Sequence, residues 1–111
     1  MQNPDGLQIG VAALRDMIAS GAPVAMLDVR EPWEHDICRI ERSVLIPLSE
    51  LPARSAELGA DEAPLVVICH HGARSFHATL WLRQQGFDNA VNLAGGIDAW
   101  ASEIDPSMRR Y

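Results

Sequence analysis

Leu65-Val66-Val67-Ile68-Cys69-His70-His71-Gly72-Ala73-Arg74-Ser75 is the stretch on which the reading of this chain turns. Four apolar residues form a short buried strand that ends in a thiol. A tight loop follows, and then a helical pattern over 74–85 that stops at Gly86. The first N–H groups of a helix have no intrahelical partner, and the positive end of its dipole favours negative charge. A cysteine held there is favoured as a thiolate, the nucleophilic form. Gly72 can adopt φ > 0 and turn backbone N–H groups inward as an anion-binding nest. The competing reading treats Cys69 as a small buried hydrophobe at a strand end.

Outward from this unit, strands and helices alternate. Val11, Leu14, Met17 and Ile18 recur at helical spacing between Gly10 and Gly21. The run 24–29 reads as a strand, 31–35 as a short helix with an early proline, and 44–46 as a second strand. Ser49 is placed to cap a helix carrying Leu51 and Leu58 that Gly59 ends. Ala90–Leu93 is another strand, and Ile97 and Trp100 mark a last short helix after Gly95-Gly96. The pattern predicts an α/β fold with a central, mostly parallel sheet of about five short strands and helices on both faces. In open sheets of this kind, sites form outside the carboxyl ends of the strands. Asp28 and Cys69 both end strands, so they face the same edge.

At 111 residues the chain fits one domain, 1–111, with 48% apolar and 22% charged residues, as in ordinary soluble proteins. No apolar run reaches membrane-spanning length. The stretch 1–6 lacks the basic and apolar regions of a signal peptide, so the expectation is a cytoplasmic protein with no membrane partner. A net charge of −6 argues against a nucleic-acid partner. All nine basic residues are Arg, which excludes a lysine Schiff base or lysine general base. The two cysteines are not a Cys-x-x-Cys pair, which excludes that dithiol chemistry, and a structural disulfide is disfavoured in a reducing compartment. No cofactor is assigned.

Other residues near the thiol admit more than one role. Arg74 places positive charge on a bound anion or on the thiolate, or is a surface residue of the first helical turn. Ser75 caps the helix, offers its hydroxyl to the sulfur, or does both. His70 and His71 stabilise a thiolate as imidazolium or orient a donor as neutral rings, and at least one of them should be solvent-exposed. Adjacent residues in one turn converge poorly on a tetrahedral centre, so no metal is assigned. Glu31 and Glu34 read as solvated helix residues, and Trp33, Trp81 and Trp100 as core or rim.

The chain resembles the single-domain rhodaneses, a family of sulfurtransferases. The resemblance rests on Leu27-Asp28-Val29-Arg30-Glu31-Pro32-Trp33-Glu34, then Ile46-Pro47-Leu48, then Cys69-His70-His71-Gly72-Ala73-Arg74-Ser75. The tail from Gly86-Phe87 through Asn92-Leu93-Ala94-Gly95-Gly96-Ile97-Asp98-Ala99-Trp100 completes it, so nearly the whole chain is covered in order. The resemblance implies a rhodanese-like fold and a thiosulfate:cyanide type of activity. Cys69 would carry the sulfur as a persulfide in a loop of His70, His71, Gly72, Ala73, Arg74 and Ser75. The donor would be a small sulfur-containing anion or persulfide, and the acceptor cyanide, a thiol or a sulfur-accepting protein. Asp28 and Arg30 match the family's Asp-x-Arg motif and would support the site edge through buried hydrogen bonds.

Four residues separate Cys69 from Arg74. Cysteine phosphatases and arsenate reductases of the Cys-x5-Arg type have five, which widens the cradle for an oxyanion. The alternative within the family is a non-catalytic sulfur carrier or interaction module. The chain departs from its relatives at Cys38-Arg39-Ile40-Glu41-Arg42-Ser43, where they typically read Gly-His-Ile-Pro-Gly-Ala. Two glycines and a proline are lost, which predicts a different turn backbone there. Cys38 enters as a second thiol, a candidate to resolve the persulfide or to form a regulatory disulfide with Cys69.

Overall fold

The computed structural model describes residues 6–59 and 63–111. The stretch 1–5, most of the segment judged for a signal peptide, lies outside them. The elements run β1 (Gln8–Ile9), α1 (Val11–Ser20), β2 (Ala25–Asp28), α2 (Pro32–Ile37), β3 (Val44–Leu45), α3 (Leu51–Arg54), β4 (Leu65–Ile68), α4 (Ala73–Gln84), β5 (Ala90–Leu93) and α5 (Gly96–Glu103). All five strands are parallel, in the order β1-β5-β4-β2-β3.

The period-2 alternation of the strands builds two apolar layers. Met26, Val66, Ile68 and Leu93 point to one face, where Val11 and Leu14 of α1 and Ile97 and Trp100 of α5 cover them. Leu27, Leu65, Val67 and Cys69 point to the other, against Ala78 and Leu82 of α4 and Leu51 of α3. The expected α/β sheet with helices on both faces is therefore present. β1 was not among the strands read from the sequence. Two residues carry no periodicity, and this edge strand is defined by its partner: Gln8 pairs with Asn92 and Ile9 with Leu93.

The segment 49–59 is not one capped helix. Leu48–Glu50 and Ser55–Glu57 are 3-10 turns around the four-residue α3. Pro52 lacks an N–H and fits only the first turn of a helix, so α3 starts at Leu51, and Ser49 lies in the preceding turn without capping.

The turn at 40–43 is built without glycine. Arg42 takes φ 74, the left-handed conformation, where relatives typically have their second glycine. Ser43 closes the turn by donating its N–H (3.1 Å) and its hydroxyl (2.8 Å) to the Ile40 carbonyl. A Cβ at this left-handed position carries a steric penalty. Arg42→Gly should therefore stabilise the fold by about 1 kcal/mol, less the entropy that glycine adds to the unfolded chain. Urea unfolding checks this, and a destabilised variant contradicts it. Among the described residues, no helix is long and apolar enough to cross a membrane.

Candidate active site

The parallel register carries β2 and β4 to a common edge: Asp28 pairs with Ile68, and Val29 donates its N–H to the Ile68 carbonyl at 2.9 Å. Cys69 follows directly and is 1% exposed. Gly72, at φ 108, lets the loop double back so that its N–H donates to Cys69 Sγ at 3.1 Å. Ser75, in the first turn of α4, brings its hydroxyl to within 3.2 Å of the same sulfur. Two donors of the loop thus converge on Cys69. The N–H groups of Ala73, Arg74 and Ser75 occupy the first turn of α4, where no intrahelical acceptor exists.

Asn92 of β5 completes this cluster, and the sequence reading gave it no role. Its Nδ2 donates to the Gly72 carbonyl and to Gln8 Oε1, both at 3.1 Å, which fixes the orientation of the amide. Its Oδ1 accepts from the Ser75 hydroxyl. Ser75 has a single proton and two acceptors. With the proton on Asn92, the hydroxyl oxygen can receive a thiol S–H; turned to the sulfur, it donates to a thiolate. Ser75 does not cap α4, because the N-cap position is Gly72.

The last helix fixes the outer side of the loop. Ile97 donates its N–H to the Cys69 carbonyl (2.9 Å) and Asp98 to the His70 carbonyl (3.0 Å). In trans peptides the N–H opposes the carbonyl, so the His70 and His71 N–H groups point away from α5. This docking requires Gly96. A Cβ there would stand 2.5 Å from both carbonyl oxygens, at a φ of +60°. Gly96→Ala should displace the loop and lower sulfur-transfer activity by about 10²-fold, the scale set by an ångström of misplacement. Steady-state rates check this, and an unimpaired variant contradicts it.

Asp28 and Arg30 form a buried bidentate pair. Arg30 Nε donates to Oδ1 (2.9 Å) and Nη2 to Oδ2 (2.7 Å), and neither side chain is more than 1% exposed. The remaining donors of Arg30 reach the Cys38 carbonyl (2.6 Å), the Glu34 carbonyl (3.2 Å) and the Tyr111 hydroxyl (3.0 Å). Burial works against the Arg30 charge, and the Asp28 carboxylate more than offsets it. The pair ties β2 to α2 behind the site.

Glu34 departs most from expectation. It is buried rather than solvated, because Arg74 reaches it from α4 with two 2.8 Å bonds. Tyr111 adds its hydroxyl to Glu34 Oε2 at 2.7 Å, and the Glu31 N–H donates to Oε1 at 2.9 Å, one half of the box that caps α2. The Arg74 hydrogen bonds, above all, hold the Glu34 carboxyl down to about 2. The Tyr111 hydroxyl is pushed up to about 12, chiefly by burial. Arg74 is therefore committed to Glu34.

His70 is stacked between His71 (centroids 4.1 Å apart) and Tyr111 (4.0 Å). Burial, then the neighbouring His71, lowers its pKa and favours the neutral ring. His71 is exposed, with Nδ1 3.9 Å from Asp98. Trp33 stands on the rim, edge-on to Tyr111. Ala73 contributes only backbone, at the first position of α4. Cys38 is free, as is Cys69, and packs in the layer on the opposite face of the sheet. Among the described residues, no group of three or more His, Cys, Asp or Glu side chains is placed to hold a metal. A groove of about 970 Å³ lined by Ala25, Arg42, Leu65 and Met108 opens at the other ends of β2 and β4, with no residue of the Cys69–Ser75 segment in its wall.

The five-stranded parallel sheet with helices on both faces, and a cysteine loop between β4 and α4, define the class, and sequence comparison agrees. Residues 11–103 match the model of the rhodanese-like domain, and the chain belongs to that family. It is 39% identical over 112 residues to a protein of Mycobacterium tuberculosis named "Probable adenylyltransferase/sulfurtransferase MoeZ", covering 99% of this chain but 28% of that protein's length. A protein of Allochromatium vinosum named "Sulfurtransferase" is 35% identical over 94 residues, covering 85% of this chain and 87% of the other. The crystal structure of a rhodanese-related protein from Thermoplasma volcanium superposes with a TM-score of 0.80 at 39% identity, covering 88% of this chain and 93% of that one.

Proposed function

We propose that this chain is a sulfurtransferase that moves sulfane sulfur from a donor to a thiophilic acceptor through a persulfide on Cys69. The observation that carries this reading is the convergence of the Gly72 N–H and the Ser75 hydroxyl on Cys69 Sγ, at the start of α4. In the first half-reaction the thiolate attacks the outer sulfur of the donor. A new S–S bond forms, the donor's own bond to that sulfur breaks, and its electron pair leaves with the remainder, sulfite in the case of thiosulfate. The terminal sulfur of the persulfide then replaces the thiolate as the charge for the loop's donors to face. In the second half-reaction cyanide or a thiol attacks that sulfur and releases the thiolate, so the cycle is ping-pong through a covalent intermediate.

His70, His71, Gly72, Ala73, Arg74 and Ser75 form the loop around the sulfur, with Asp28 and Arg30 as its support. Incubation with thiosulfate and excess cyanide should yield thiocyanate with parallel-line kinetics. A persulfide that forms and passes to a partner protein without turnover to thiocyanate would favour the carrier role instead. Hydrolysis of a chromogenic phosphate ester, with no thiocyanate formed, would overturn the proposal.

A further inference from the structure

We infer that the site selects sulfane-sulfur donors carrying no more than one negative charge, and that the Glu34–Arg74 pair sets this preference against dianions. The inference rests on Cys69 acting as the persulfide carrier.

Three guanidinium groups near this edge, those of Arg30, Arg74 and Arg110, are each engaged by a carboxylate. Arg30 is fully buried on Asp28. Arg74 is bidentate on Glu34, whose side chain is 4% exposed. To reach a donor, Arg74 would have to abandon a buried carboxylate to one hydroxyl and one N–H, a costly arrangement. Arg110 is held by Asp98 at 2.8 Å, and the same carboxylate lies beside His71. His70 is half-buried and stacked between His71 and Tyr111.

What faces a donor's charge beside the sulfur is the Gly72 N–H and the Ser75 hydroxyl, both already on Cys69 Sγ. A dianion must approach a thiolate on a protein of net charge −6 while Arg30, Arg74 and Arg110 are each held by a carboxylate. A donor with one charge fewer meets less repulsion. Thiosulfate and methanethiosulfonate isolate this difference, since both present an outer sulfur on a sulfonyl-type sulfur and differ by one charge. With methanethiosulfonate, the Cys69 thiolate takes the outer sulfur, the S–S bond of the donor breaks, and its electron pair leaves as methanesulfinate. Atoms and charge balance with no further reactant.

Glu34 is thus a positioning residue, acting through Arg74. The test measures kcat/KM for both donors, with cyanide in excess, in the wild-type protein, Glu34→Gln and Arg109→Ala. Arg109 is exposed and has no ion-pair partner among the described residues, so it is the control cation. In the wild type, the thiosulfate kcat/KM should rise as ionic strength goes from about 20 to about 200 mM, because salt screens repulsion. Glu34→Gln should free Arg74, lower the preference for methanethiosulfonate over thiosulfate by at least about tenfold, and reverse the salt dependence. Arg109→Ala should leave the preference within about twofold.

A wild-type thiosulfate rate that falls with salt overturns the inference, as does an unchanged preference in folded Glu34→Gln. So does a preference that shifts by about tenfold or more in Arg109→Ala. If Glu34→Gln fails to fold, the sign of the wild-type salt dependence decides. Transfer from both donors with the wrong preference defeats only this inference, whereas no transfer from either defeats the persulfide reading itself.

Discussion

Cys69→Ala is expected to abolish thiocyanate formation from either thiosulfate or methanethiosulfonate, a loss of at least about 10³-fold, as for removal of other covalent nucleophiles. Nothing else at the β4–α4 junction can replace the thiol. Ser75 is the nearest hydroxyl, and it is occupied by Asn92 and the sulfur. Cys38 lies in the layer across the sheet. The variant should still fold. It removes one buried sulfur and leaves the Gly72 N–H without its acceptor, a cost of about 1–2 kcal/mol. Activity and circular dichroism measured on the same sample separate lost chemistry from lost structure. Residual turnover near the wild-type level in a folded variant would contradict the assignment.

The largest effect on stability is expected from Asp28→Ala. Arg30 is 0% exposed, and Asp28 accepts its backbone N–H and both ends of its guanidinium. Without the carboxylate, a full positive charge remains buried against neutral acceptors, a loss of about 3–5 kcal/mol. That is a large fraction of the total stability of a domain of this size. The Asp28→Leu/Arg30→Met double variant removes both charges and should lose less than Asp28→Ala alone. Urea unfolding of both proteins reads this directly. A single variant within about 1 kcal/mol of wild type would show that the pair does not support the edge.

Much of this architecture was legible along the chain because it is encoded locally. The run Leu65–Ile68, the glycine at 72 and the helical pattern beyond it each have a local physical cause, and together they place Cys69 at the head of α4. The residues that complete the site were not legible, because their roles come from long-range geometry. Glu34 looks like any acidic residue early in a helix until α4 delivers Arg74, 40 positions later. Asn92 sits in a strand, and only the parallel register beside β4 brings its amide to Gly72 and Ser75. Tyr111 lies beyond the segment that matches the family, and it reaches Arg30, Glu34 and His70 only through the path of the chain after α5. One signal was available: a polar asparagine in the strand that precedes Gly95-Gly96, in a sheet expected to be covered on both faces, needs buried partners.

The same contrast explains the loop. The sequence suggested a nest from Gly72 alone, but the loop is held from outside by α5. The Gly96 position matters because two carbonyl oxygens occupy the space a side chain would need. The shape of the cradle is therefore a tertiary property of β4, α4 and α5 together.

In the proposed mechanism, sulfur resides covalently on Cys69 between the two half-reactions. Intact-mass spectrometry after incubation with methanethiosulfonate, followed by peptide mapping and then by cyanide, tests it most directly. A gain of about 32 Da that maps to the Cys69 peptide, disappears on adding cyanide and is missing in Cys69→Ala is the predicted result. No adduct, or one that maps to Cys38, would contradict it.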